Sequence, residues 1–214
     1  MLLQPMLSRL ANARGLEGML NVALRDFVSL HGAEMGDLQL VGNDGALVIV
    51  AARGVDHSFL KTFERISAKS GSACGRAARD GKPTFTPDVT RDPEYAPYME
   101  FVSAMPLRSV LSCPLLAPDG SLIGMLSALS STHFNPTQME LEAATQYCSA
   151  LSAALSCVTP AEGLAAWAEG TAAALLNSTP KRGHSSLADD RDSLGSSWRN
   201  VTSEGEPKSL KNTY

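Results

Sequence analysis

The side chains best suited to covalent chemistry are four cysteines, Cys74, Cys113, Cys148 and Cys157. No two of them form a Cys-x-x-Cys pair, and the four histidines, His31, His57, His133 and His184, do not cluster with them in sequence. That spacing argues against zinc, and no metal site is expected. No Ser-His-Asp or Cys-His combination is readable from the spacing, so no catalytic residue is assigned and the chain is not expected to be an enzyme. Cys74 is the best placed of the four. In Gly71-Ser72-Ala73-Cys74-Gly75-Arg76-Ala77 it stands between small residues at the start of a predicted helical turn, where a helix N-terminus lowers a thiol pKa. Three uses remain open for it: a redox thiol, an anchor for a chromophore, or a small buried residue at a tight helix–sheet contact.

Other residue types suit non-covalent recognition. Arg76 and Arg108 are the candidates to hold a phosphate, and each fits equally as a solvated surface arginine. Asp88 and Asp92 are candidates to accept hydrogen bonds or coordinate, and Asp88, before Val89-Thr90, also reads as a loop cap. Tyr95, Tyr98, Met99, Phe101, Val102 and Met105 make an aromatic and methionine-rich stretch, either a flexible pocket wall or ordinary packing of a short helix. Ser112 and Met125, on predicted strands, complete the candidate pocket with Cys74, Arg76 and Asp88. His133 is expected on the surface.

These residues need elements to position them. Leu16, Met19, Leu20, Ala23, Leu24, Phe27 and Val28 recur at helical spacing, with Gly32 placed to end the helix. Asp37-Leu38-Gln39-Leu40-Val41 alternates as a half-buried strand does; Ala46 to Ala51 is continuously apolar, and Gly42-Asn43-Asp44-Gly45 between them predicts a hairpin. Phe59, Leu60, Phe63 and Ile66 follow at helical spacing, and Gly81 stops the short Cys74 helix. Thr84-Phe85-Thr86 reads as a brief strand, and residues 95–104 as a short helix. Residues 109–117 and 121–130 flank Pro118-Asp119-Gly120 in a second hairpin, with Gly124 marking a bulge or close backbone approach. A long helix follows, predicted to start at Asn135 as N-cap with Pro136 at its first position, Gln138 as capping-box partner and Phe134 stapled on Met139. Pro160 ends it.

The expected fold is therefore α+β, a central antiparallel sheet of about five to six strands flanked by helices. The expected organisation is a leader or short helix over 1–15, one domain over 16–157, an Ala-rich helix over 158–179 and a disordered tail over 180–214. The formal net charge of −4 and the absence of Lys/Arg runs give no footprint for nucleic acid or an anionic membrane. The apolar stretches fall short of a membrane span, and Met1-Leu2-Leu3-Gln4-Pro5-Met6 lacks the features of a signal peptide, so a cytoplasmic location is expected. In that compartment the thiols stay reduced.

Five pieces in order carry a family resemblance: Cys74-Gly75-Arg76-Ala77; Asp88-Val89-Thr90-Arg91-Asp92-Pro93; Ser109 to Leu116; Gly120 to Ser127; and the helix after Phe134. Together they resemble a GAF domain. The resemblance implies a bacterial-type sensory module in signal transduction, acting beside a two-component system. In such modules a pocket between sheet and crossing loops takes a small ligand, and the terminal helices pass the change to a signalling protein or to a second copy in a homodimer. The face of Ser149, Ala150, Ser152, Ala153 and Ala154 would permit close helix approach, or simply cover the domain's own sheet. The cofactor is unspecified. Phytochrome-type members usually place a histidine after the linking cysteine, whereas Gly75, Pro114, Ser149 and Val158 follow the cysteines here. The Asn-Lys-Phe-Asp-Glu signature of the cyclic-nucleotide binders is not located. The alternative the resemblance raises is a thiol-based redox protein using Cys74, a sensor or an enzyme like free methionine-(R)-sulfoxide reductase, although the loop after Asp88-Val89 lacks that enzyme's second cysteine.

Overall fold

Six strands form one sheet in the order β3-β2-β1-β6-β5-β4, and every pairing is antiparallel. The structure, a computed structural model, describes residues 3–158 and 161–179; the predicted tail over 180–214 lies outside the described residues. Helices α1 (Leu3–Ala11) and α2 (Gly15–Leu30) lead into the hairpin of β1 (Met35–Val41) and β2 (Leu47–Arg53). Then come α3 (His57–Thr62), β3 (Arg65–Ile66), α4 (Ala73–Asp80), β4 (Thr84–Thr86), a 3₁₀ helix (Pro93–Tyr98) and α5 (Met99–Ala104). The second hairpin, β5 (Ser109–Leu116) and β6 (Leu122–Ser130), precedes α6 (Gln138–Val158) and α7 (Ala161–Ser178). The α+β architecture read from the sequence is the one observed.

Both faces of the sheet are buried. On one face Leu38, Leu40, Val50, Leu111, Cys113 and Leu126 meet α2 and α6 through Leu20, Phe27, Tyr147 and Leu151, and α1 packs on those two helices. On the other, Ile49, Val110, Met125 and Leu129 meet α3, α4 and the crossing segment 93–105. At α1, the Arg9 Nε donates to both carboxylate oxygens of buried Asp26, at 3.1 and 3.0 Å, and the Tyr147 hydroxyl donates to Asp26 at 3.4 Å, tying α1 and α2 to α6. Glu169 on α7 pairs with Arg65 of β3 at 2.9 Å and accepts from the Asn43 N–H in the first hairpin turn at 3.1 Å.

Local chemistry explains the boundaries. Gly81 closes α4 at φ 62°, a left-handed conformation that β-carbon sterics deny most residues. A Cβ on Gly124 would come to 2.5 Å from the Gln39 carbonyl oxygen of β1, so β6 approaches β1 too closely there for any side chain. The run from Phe59 to Ile66 is not one helix. Asp56 caps α3, its carboxylate accepting from Phe59 N–H at 3.0 Å; the helix ends at Thr62, and Ile66 pairs with Leu47 as β3.

The start of α6 also differs from the expectation. The cap is Thr137: its hydroxyl accepts from Glu140 N–H at 3.2 Å, while the Glu140 carboxylate accepts from Thr137 N–H at 2.7 Å. Asn135 and Pro136 lie outside the helix, and Met139 is 75% exposed, so no staple forms. Phe134 packs instead on Phe85, ring centroids 5.1 Å apart. A Thr-x-x-Glu box satisfies two orphan N–H groups reciprocally, which Asn135 with Gln138 does not do here. Thr137→Ala is expected to cost about 1 kcal/mol in urea unfolding, with Asn135→Ala near zero; equal losses would move the cap back to Asn135.

Candidate functional site

Alternation along β1 turns Leu38 and Leu40 toward the helices of the first face and Asp37 and Gln39 toward the crossing segment. Asp37 lies opposite Ser127 on β6, Ser127 opposite Ser112 on β5, and Ser112 opposite Thr84 on β4. A polar row therefore crosses four strands, and Ser112 and Ser127 share a hydrogen bond of 3.0 Å. Asp37, Gln39, Ser112 and Ser127 from the sheet and Ser72 and Cys74 from the start of α4 line a cavity; Phe59, Phe63, Leu107, Val110 and Leu129 supply apolar wall, with Tyr95 from the crossing segment. The space left is about 20 Å³, which admits a water molecule and little more.

Two groups facing this cavity have no hydrogen-bond partner: Asp37 Oδ2 and Gln39 Oε1, on side chains 3% and 1% exposed. Burial pushes the Asp37 carboxyl up to about 7, because no cation offsets the loss of water around the charged form. Burial, then the neighbouring Asp37 charge, pushes the Cys74 thiol up to about 12, against a smaller opposing effect of hydrogen bonds from Ser72 and backbone N–H groups. The helix N-terminus expected to activate Cys74 is outweighed: at pH 7 the group is a neutral thiol. Nor is a resolving cysteine beside it. Cys113 points to the opposite face of β5, where its sulfur lies within hydrogen-bond reach of Cys148 and, with burial, raises the Cys148 thiol. Cys157 is the exposed one.

The crossing segment is fastened to the start of α4. The Tyr95 hydroxyl accepts from Ala73 N–H at 3.0 Å, satisfying a donor of the first helical turn. Tyr98 OH, Ser70 Oγ and Ser72 Oγ form a chain with spacings of 2.7 and 2.8 Å, and Ser72 Oγ reaches Cys74 Sγ at 3.2 Å. Arg76 Nη2 donates to Asp92 Oδ2 at 2.7 Å and to Thr86 Oγ1 at 2.5 Å, and its guanidinium lies 5.9 Å from the Tyr95 ring centre.

Of the residues expected in the pocket, Cys74, Tyr95 and Ser112 line the cavity. Val102 and Met125 are fully buried in the surrounding cluster. Tyr98, Met99 and Phe101 are half-buried; Tyr98 stacks on Phe63, centroids 5.2 Å apart, and Phe101 meets the same ring edge-on at 5.6 Å. Arg76 and Asp88 are both outside the lining: Arg76 is engaged by Asp92, and Asp88 closes its own loop, accepting from Thr90 N–H at 2.9 Å and from its hydroxyl at 2.6 Å. Arg108 donates to its neighbour's carbonyl, Leu107 O, at 3.2 Å. His133 is exposed, its Nδ1 2.9 Å from Pro87 O. The polar residues that sequence reasoning did not single out are Asp37, Gln39, Ser72 and Ser127. For Asp37 and Gln39 the signal was a polar residue at alternate positions of one strand; Ser127 lies on β6, and Ser72 is the N-cap of α4. Among the described residues, no group of His, Cys, Asp and Glu is arranged to hold a metal ion, and no helix is long and apolar enough to cross a membrane.

No curated protein sequence matches the chain. Solved structures do, at the level of fold. The GAF domain of a phosphoenolpyruvate-protein phosphotransferase from Coxiella burnetii is 20% identical, with TM-score 0.58 over 73% of this chain and 91% of that one. The chromophore-binding domain of a bacteriophytochrome from R. palustris is 15% identical, with TM-score 0.57 over 73% and 61%. Free methionine-R-sulfoxide reductase from Neisseria meningitidis, in complex with its substrate, is 19% identical, with TM-score 0.58 over 78% and 89%. The sequence pattern of the GAF domain matches residues 13–156, more than half of the chain, and the chain belongs to the GAF domain family.

Proposed function

We propose that the protein is a sensory module in which a small ligand occupies the cavity between β1, β5, β6 and the crossing segment, and is read out through the terminal helices. The observation that carries this reading is the pair of unpartnered acceptors, Asp37 Oδ2 and Gln39 Oε1, in the cavity wall. Leaving a buried polar group unmatched costs about 1–3 kcal/mol, a cost that a ligand bearing the missing partners recovers. The small volume means that a ligand larger than water displaces residues 93–105, so occupancy and the position of that segment are linked. Strand β5 connects the site to the helices: Ser112 lines the cavity, and the adjacent Cys113, on the opposite face, meets Cys148 of α6. Movement of β5 then reaches a signalling partner, or a second copy pairing through α1 and α6, in the cytoplasm. On α6, Ser149 and Ala153 are exposed and Ser152 is buried, leaving a narrow strip of small residues for such a contact.

The non-enzymatic reading is supported by the neutral Cys74 thiol and by the placement of Cys113 on the other face of the sheet. A thermal-shift screen across amines, carboxylates, nucleotides and sugars, followed by hydrogen exchange, tests the proposal. At least one class is expected to raise Tm and slow amide exchange over 93–105 in the native chain, with both effects abolished in Ser127→Leu, which fills the cavity. A ligand whose effect survives that substitution places the receptor site elsewhere, and a screen with no hit removes the receptor reading.

A further inference from the structure

We infer that the ligand is a small primary amine, bound as its ammonium ion between Asp37 and Gln39. The inference rests on the cavity being the receptor site and specifies what it takes. Both vacant groups in the wall are acceptors, one of them a carboxylate oxygen. The lining contains no lysine, arginine or histidine; Arg76 lies outside it, its Nη2 bonded to Asp92 and Thr86 and its buried Nε without a partner. Above pH 7, where Asp37 is ionised, a ligand carboxylate or phosphate would meet its charge with no cation to offset it, whereas a cationic ligand supplies the counter-charge that the lining lacks.

The number of donors separates the cations. An ammonium head has three N–H bonds, and the wall offers Asp37, Gln39 and the Ser127 hydroxyl that faces Asp37 across the β1–β6 pair. A guanidinium brings five donors in a planar fork and leaves some unmatched. An α-amino acid adds a carboxylate without a partner. The water-sized space suits the ammonium head, while Phe59, Phe63 and Leu129 present the apolar surface for an alkyl chain. Burial raises the lone Asp37 acid, and an ammonium beside it restores the ionised form, so protein and ligand satisfy one another.

The test uses the full chain with n-propylammonium chloride as probe, and n-propanol, sodium propionate and potassium chloride at matched concentration and ionic strength. Calorimetry is expected to show binding of propylammonium alone, with at least a tenfold weaker dissociation constant in Asp37→Asn and a smaller loss in Gln39→Leu; thermal melts of each variant verify folding. Equal binding of propanol, or undiminished affinity in folded Asp37→Asn, overturns the assignment. If propylammonium is ignored while another class stabilises the chain and Ser127→Leu abolishes that effect, the amine is wrong and the receptor reading stands. If no class acts, both fall.

Discussion

Replacing Asp37 with asparagine turns a nearly level stability profile between pH 4 and pH 6.5 into a rising one. Two buried groups oppose each other in this window. Asp37 has its pKa raised from 3.8 to about 7 by burial. The folded state therefore holds a proton that the unfolded chain has released, and stability present below pH 3.8 is lost as pH rises through 7. The difference of roughly three units corresponds to about 4 kcal/mol. His31 has its pKa lowered from 6.5 to about 4 by burial, offset in part by the Glu140 charge, and neither ring nitrogen has a partner between Phe27 and Phe134. Its contribution is present above pH 6.5 and lost as pH falls toward 4, about 3 kcal/mol of the opposite sign. Asp37→Asn leaves the histidine slope alone, so stability rises by about 3 kcal/mol from pH 4 to 6.5 relative to the native profile. His31→Leu leaves the carboxyl slope alone, so stability falls by about 3 kcal/mol from pH 4 to 6.5 relative to the native profile. Urea unfolding at half-unit pH intervals measures both as differences from the native chain, which removes the shared surface carboxylates. Profiles that stay parallel to the native one would show that these groups titrate normally.

The order of elements was readable because each depends on neighbours in sequence. Gly42-Asn43-Asp44-Gly45 and Pro118-Asp119-Gly120 turn their chains locally, and Gly81 stops α4 by its own φ. Even the misplaced start of α6 was an error of two residues between rival caps, settled by which carboxylate reaches a backbone N–H. Alternation in β1 likewise identified which residues share a face. It said nothing about what covers that face, and a polar face on a hairpin strand reads as solvated. Asp37 and Gln39 are buried because β1 becomes central, between β2 and β6, and because a segment some sixty residues later closes over it. That is tertiary information, absent from any window around Asp37. The same limit hid the use of Arg76. Its sequence context, an arginine in the first turns of a short helix, fits a phosphate clamp or a surface charge; the pairing with Asp92 emerges only when the crossing segment lies against α4.

That pairing carries the second large effect. Arg76→Ala is expected to lower stability by about 2–3 kcal/mol and to release residues 93–105 first. Arg76 and Asp92 are 15% and 16% exposed, and the arginine also holds Thr86, so its removal leaves a largely buried carboxylate without its cation. Breaking a fully buried pair costs about 3–5 kcal/mol, and partial access to water reduces the figure here. The loss falls on the cover, because Asp92 Oδ1 also accepts from Glu94 N–H at 3.0 Å and so starts the 3₁₀ helix that carries Tyr95. With a free Asp92, opening of that segment becomes cheaper by about the same energy, and its amides exchange roughly thirty-fold or more faster, while those of β5 and β6 change only with global unfolding. Arg76→Lys keeps the charge but not the rigid placement of the Nη2 that serves both Asp92 and Thr86, so it falls between native and alanine. Exchange that accelerates uniformly across the sheet would make Arg76 a structural residue of the whole fold. Acceleration confined to 93–105 would identify it as the tether of the cover, and the same variant would then bind the cavity's ligand more readily, because the segment displaced by binding is already partly released.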